Sequence, residues 1–285
     1  MPLFLQNLQG IGLPNSEISA LWRLADKQER MEHSWVYAFK KELLKYEDRV
    51  WKHITSTGRV GSSVIDLEPF FAEHYFDYVS EATKTAASPA GSDKRLARKT
   101  PRTIREVMRQ YDEWRKKGKV PKKQAAYAEE VKEQYLKRIQ KWWAKYGESY
   151  RDGEVTSEWM REKLRRVTDA TYGRTQVIVR TEGTKYWNTA RKDYYDSSED
   201  VTHYLFLAIR DARTTPWCKS RHNVVFKKGT ALFDKNVPPC HWNCRSEIVP
   251  LTPKTNPSHR TIVDDRKRRA ENRSLVPLPK GWSKS

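Results

Sequence analysis

The stretch VTHYLFLAIRDARTTPWCKSRHNVVFKKGTALFDKNVPPCHWNCRSEIVPL, residues 201–251, decides the fold class. It opens on β-branched and aromatic residues, the composition of a buried strand over 201–211. Val224-Val225-Phe226 predicts a second short strand, and Glu247-Ile248-Val249-Pro250-Leu251 a third. Working outward, the preceding two hundred residues carry the 3-to-4 spacing of helix faces instead. The chain therefore reads as α+β: mainly helical N-terminal two thirds, followed by a small C-terminal α+β module with a few antiparallel strands.

Upstream, Asn15-Ser16 with Glu17 forms an N-cap signal before Ile18, Leu21, Trp22 and Leu24. Val36, Phe39, Leu43, Val50 and Ile54 mark one face of a long helix that Gly58 ends. Phe70, Phe71, Tyr75, Phe76, Tyr78 and Val79 predict a second, aromatic helix whose rings belong to a core. Residues 84–101 read as a basic linker. Two charge-laced helices follow over 102–117 and 124–146, separated by Gly118 and Pro121, the second carrying Val131, Tyr135, Ile139, Trp142 and Trp143. Further helices are expected over 156–171 and from Gly173 to about Tyr195. The resulting division is an N-terminal helical region (1–83), the linker, a basic helical region (102–172), the α+β module (173–252) and a basic extended tail (253–285).

All three cysteines, Cys218, Cys240 and Cys244, fall within one short stretch together with His222 and His241. Thiolate and imidazole are the ligands of a structural zinc site. Two sets are open: Cys218 and His222 paired with Cys240 and Cys244, or Cys218, Cys240, His241 and Cys244. In the second, adjacent Cys240 and His241 need a sharp turn, for which Pro238-Pro239 offers rigidity. The plain alternative is buried thiols with a hydrogen-bonded histidine. A Cys–His nucleophile lacks an orienting carboxylate close by in sequence.

Lys and Arg number 55 against 36 Asp and Glu, a net charge of +19. The excess is concentrated. Residues 93–123 hold thirteen basic residues against four acids, and 253–285 hold nine against three. Such runs suit the DNA phosphate backbone, through Arg102, Arg105, Arg109, Lys116, Lys117, Lys122 and Lys123 in the first and Arg266, Lys267, Arg268 and Arg269 in the second. No recognition helix or phosphate-cradling loop supports base readout. No run reaches the roughly 18 apolar residues of a membrane span. The N-terminus lacks the basic and small-residue pattern of a signal peptide, and three cysteines are too few for a secreted disulfide scaffold. These features predict a soluble protein of the cell interior.

Arg180-Thr181-Glu182, then Asp211-x-Arg213-Thr214 leading to Cys218, then Pro238-Pro239-x-His241-x-x-Cys244-Arg245 resemble, in order and spacing, the phage head morphogenesis family, the Mu F-like minor head proteins. The likeness covers roughly 165–252. One departure stands out: where the family commonly reads Cys-Arg-Cys, this chain has Cys244-Arg245-Ser246, and Cys240 is placed to take over that ligand role. The resemblance implies a minor structural protein of a tailed-phage head, assembled in the host cytoplasm and carried in the virion. Its implied partners are the portal protein, other head proteins and double-stranded DNA, with roles in packaging or ejection, no membrane and no enzymatic activity. Arg180, Thr181, Glu182, Asp211, Arg213 and Thr214 are then structural, with Arg180, Glu182, Asp211 and Arg213 in a buried ion-pair or hydrogen-bond network. The competing readings are a zinc-dependent nuclease, which needs an open metal position and a general base, and a freestanding DNA-binding zinc module.

Overall fold

The computed structural model describes residues 15–61, 65–87, 102–251, 262–280 and 282. Five helices come first: α1 (Asn15–Thr57), α2 (Glu68–Ala87), α3 (Arg102–Lys117), α4 (Lys122–Arg151) and α5 (Ser157–Asp196). The mixed region follows in the order β1 (His203–Leu207), α6 (Pro216–Arg221), β2 (Val224–Lys227), α7 (Ala231–Asn236), β3 (Glu247–Leu251) and a 3-10 turn at Ala270–Asn272. This is the α+β arrangement the sequence predicts. The chain divides into two compact units, one of residues 31–77 and 110–179, the other of 1–30, 78–109 and 180–285.

The first unit is helical. Phe39, Leu43, Tyr46, Val50 and Ile54 of α1 recur at 3-to-4 spacing and are buried, as are Val131, Tyr135, Ile139 and Trp142 of α4. Met160, Leu164 and Ile178 of α5 join them in one core. Two polar pairs are built into it: the Tyr135 hydroxyl meets Thr168 Oγ1 at 2.9 Å, and Arg165 Nε donates to both oxygens of buried Glu47 at 2.9 Å. Gly58 and Gly118 end α1 and α3 with φ near +68° and +65°, and each N–H closes on the carbonyl four residues back. That left-handed stop is cheap only without a Cβ.

His74 sits in this unit against Phe70, its ring 4.1 Å from the phenyl centroid, and its Nδ1 is buried without a partner. Burial pushes its pKa down to about 4, with Glu42 the one charge pulling it back up. Because the folded value lies below the unfolded one, the unfolded chain takes up a proton that the fold refuses as pH falls through 6.5 toward 4. Discounted for partial solvent access, the loss is about 2 kcal/mol. Denaturant unfolding at pH 7 and pH 4.5 will show it, and His74→Phe will flatten that part of the pH dependence.

Two expectations on chain breaks are corrected. The linker begins later than expected, since α2 runs to Ala87; residues 88–101 lie outside the described residues. Nor does Gly173 end a helix: α5 continues through it, because Thr168, Thr171, Thr175 and Ile178 on either side are buried and hold the helical register. Gly173 is exposed and a Cβ there meets nothing within 4 Å. Gly173→Ala will therefore raise stability by about 0.5–1 kcal/mol, read as a higher urea midpoint at unchanged slope.

In the second unit, β1 is the middle strand of a three-stranded antiparallel sheet of order β2-β1-β3. Tyr204 and Phe206 face one side, packed with Phe226, Phe233 and Ile248; Leu205 and Leu207 face the other with Val225, Val249 and Leu251. Pro250 is tolerated because β3 is an edge. The tail departs from the extended form expected of it. Ile262 and Val263 are buried on the Leu205 face, and the Val225 N–H donates to Arg268 O at 2.7 Å. A sheet apolar on both faces needs two covers, and the tail supplies the second. Residue 252 and residues 253–261 of that tail lie outside the described residues.

Candidate metal centre and its supporting helix

Thr215 and Pro216 start α6, with Pro216 at a position where its missing N–H costs nothing. One turn on, this short helix points Cys218 inward, 2% exposed. The loop from α7 to β3 brings His241 and Cys244 against it. Cys218 Sγ lies 3.2 Å from His241 Nε2 and 3.8 Å from Cys244 Sγ, and the three ligand atoms lie within 4.8 Å of one another. Thiolates at about 2.3 Å from a tetrahedral zinc are about 3.8 Å apart, so the sulfur pair already has the edge of that polyhedron. His241 Nδ1 donates to the Trp242 carbonyl at 2.6 Å, which leaves Nε2 as the lone-pair nitrogen on the cluster side. The donor set and its spacing fit a metal ion.

Without a metal the site favours neutral thiols. Cys218 is pushed up to about 11, first by the neighbouring Cys240 thiol, with burial adding to it. Cys244 is raised by full burial. For His241, burial pulls down, but hydrogen bonding and charge from Cys244 outweigh it and leave the imidazole raised.

Of the five candidate ligands, the structure brings together three. His222 is not among them. It falls at the C-cap of α6, where the backbone leaves helical angles, and its Nδ1 accepts the Ala208 N–H at 3.3 Å. Cys240 is buried beside Cys218 but lies outside the trio, its Sγ turned toward Asn236 O at 3.9 Å. Ser246, at the departing position, is also buried, and its hydroxyl acts on Cys218.

One face of α5 holds the cysteine loop in place. Arg180 Nη1 donates to Asn243 Oδ1 at 2.9 Å, and Thr181 Oγ1 accepts the Asn243 N–H at 2.8 Å. A turn later Thr184 Oγ1 donates to Cys244 O at 2.7 Å. Asn188 then donates to Ser246 O at 3.1 Å and accepts the Ile248 N–H at 2.8 Å. Arg191 closes the row, 3.0 Å from Glu247 Oε2 and 2.9 Å from Ile248 O. Buried backbone groups in a loop require such partners. Asn243, at φ +61°, turns the loop back between them.

The expected single network of Arg180, Glu182, Asp211 and Arg213 resolves differently. Glu182 accepts from the Tyr186 hydroxyl at 2.9 Å within α5. Asp211 is clamped by Arg245 through two bonds of 2.8 and 2.7 Å, and also accepts the Arg213 N–H and the Thr214 hydroxyl. These contacts, Arg245 foremost, hold its carboxyl far below the usual range. Arg213 contributes mainly its backbone; its side chain is 72% exposed. Thr184, Asn188, Arg191 and Arg245 complete the site beyond the residues that the motifs mark. The signal for the first three was there: polar residues at 184, 188 and 191 interrupt what is otherwise the buried side of a helix.

The nominated basic residues separate into two kinds. Arg105, Lys116, Lys117 and Lys122 are exposed, while Arg109 is bound to Glu106 at 2.6 Å and Lys123 lies over the Tyr127 ring. The side chain of Arg102 lies outside the described residues. In the tail, Arg266 and Lys267 are exposed, but Arg268 pairs with Asp265 at 3.2 Å and Arg269 with the imidazole of His203 at 3.0 Å. Arg268 and Arg269 thus serve the fold of the tail.

A helix that binds a cysteine–histidine loop to a three-stranded sheet defines a small, internally braced structural module. Residues 144–249 match the family of phage Mu protein F like proteins, so the resemblance read from the motifs is borne out, and the match begins further upstream, within α4. Comparison with curated proteins gives no match, and comparison with solved structures gives none. No helix among the described residues is long and apolar enough to cross a membrane.

Proposed function

We propose that this is a minor structural protein of a tailed-phage head, associated with the portal vertex and touching packaged DNA through its phosphates. The observation that carries the reading is the family match over 144–249 together with the braced motif residues inside it. The DNA part rests on the turn between α3 and α4. Arg115-Lys116-Lys117-Gly118-Lys119-Val120-Pro121-Lys122-Lys123 puts six cations in nine residues, and Lys116, Lys117, Lys119 and Lys122 are exposed with no carboxylate partner among the described residues. Unpaired cations on one turn attract a polyanion and read its charge, not its sequence. The Cys218, His241 and Cys244 set is proposed as a structural zinc site with Cys240 or Ser246 nearest the fourth position. Buried sulfur ligands and a carboxylate, Asp211, committed to Arg245 favour structure over hydrolysis.

Co-purification with the portal protein tests the vertex assignment, and its failure would remove that part. For DNA, the triple charge reversal Lys116→Glu, Lys117→Glu, Lys122→Glu will weaken duplex binding and lower the slope of log K against log salt by about 3. An unchanged slope would leave the turn as a protein-facing surface. Divalent-dependent cleavage of DNA by the purified protein would revive the nuclease reading.

A further inference from the structure

Helix α7, residues 275–279 and Trp282 wall a groove of about 620 Å³. Leu232, Leu275, Leu278 and Trp282 give it an apolar lining, and Leu232 is 37% exposed. Arg221 and Lys235 provide its charge. Arg221 is 3% exposed and hydrogen bonds to neutral acceptors: Asn236 Oδ1 at 2.6 Å, Trp217 O at 2.8 Å and Val276 O at 2.9 Å. Among the described residues no carboxylate comes within ion-pair distance of it, nor of Lys235, which is exposed. The Trp282 Nε1 is buried without an acceptor. A guanidinium buried without a counter-ion keeps its desolvation cost unbalanced. A groove that pairs a leucine lining with two cations, and has no anion among the described residues, is complementary to one kind of occupant.

We infer that this groove docks a peptide segment of another protein in which aliphatic side chains flank a carboxylate. The aliphatic groups displace water from Leu232, Leu275, Leu278 and the Trp282 ring, and the carboxylate balances Arg221 and Lys235. A nucleic-acid backbone matches the charge but leaves the apolar lining wet. The inference is independent of the DNA reading, which concerns the α3–α4 turn.

The test uses the full chain and a set of amidated hexapeptides of leucine, valine and proline carrying one glutamate, each with its glutamine twin. Affinity is read by fluorescence anisotropy, and occupancy by the Trp282 indole N–H resonance, assigned with Trp282→Phe. The tightest glutamate peptide will bind about tenfold more strongly than its twin and will move that resonance. Leu232→Asp and Lys235→Glu, both at exposed positions, will each weaken it by about fivefold or more at unchanged melting temperature. Equal affinity of the twins, an unmoved indole resonance, or indifference to both substitutions overturns the inference. So does displacement of the peptide by a short DNA duplex that binds the Leu232→Asp protein equally well, since the groove would then recognise only negative charge.

Discussion

Glu247→Gln will destabilise the sheet-bearing unit by about 3–5 kcal/mol, the usual result of stripping one partner from a buried ion pair. Arg191 and Glu247 are 3% and 5% exposed, and their contact of 3.0 Å is made away from bulk solvent. Arg191 also has one buried nitrogen, Nη2, already without a hydrogen-bond partner, so the lost carboxylate leaves the guanidinium nearly unsupported. Replacing both, Arg191→Met with Glu247→Leu, will recover much of the loss, because two apolar side chains avoid the desolvation that the pair incurs. Chemical unfolding of the two variants beside the parent protein measures this. A loss below about 1 kcal/mol for Glu247→Gln would mean that the pair is open to solvent.

Zinc added to metal-free protein will stabilise the same unit by about 3 kcal/mol when free zinc stands a hundredfold above its Kd, with the gain fading at low pH as the thiols compete for protons. Calorimetric titration will give one site per chain. Cys244→Ser and His241→Ala will each abolish the gain. Cys240→Ser decides the fourth position: if zinc still binds with little change, Cys240 is no ligand, and the side facing Ser246 is. Absence of any zinc-dependent shift in the parent protein would reduce the cluster to hydrogen-bonded packing.

The sequence made the elements legible wherever a single period dominates. The faces of α1 and α4 follow from Phe39, Leu43, Val50 and from Val131, Tyr135, Ile139, and the three strands follow from their β-branched runs. The cysteine cluster was legible as a neighbourhood, though not as a ligand set. Cys218 and His222 have the spacing of one helix face, but α6 ends at Arg221, and the C-cap geometry carries His222 away from Cys218. A six-residue helix is too short for spacing to decide a face. Gly173 looked like a stop because its propensity is poor; buried threonines on both sides outweigh about 1 kcal/mol of propensity. Arg180 and Thr181 were legible as motif residues, but Thr184, Asn188 and Arg191 were not, because most of their partners are backbone groups of residues 244–248, and a carbonyl leaves no mark in a sequence.

The cover that Ile262 and Val263 place on the sheet also sets an order of events during synthesis. All three strands emerge from the ribosome before those two residues do. For that interval Leu205, Leu207, Val249 and Leu251 form an uncovered apolar strip on an otherwise complete sheet. Such a strip is where nascent chains stick to one another. A prematurely terminated product ending near Leu251 would keep it permanently, so truncation there will yield insoluble protein even though every strand and every cysteine is present.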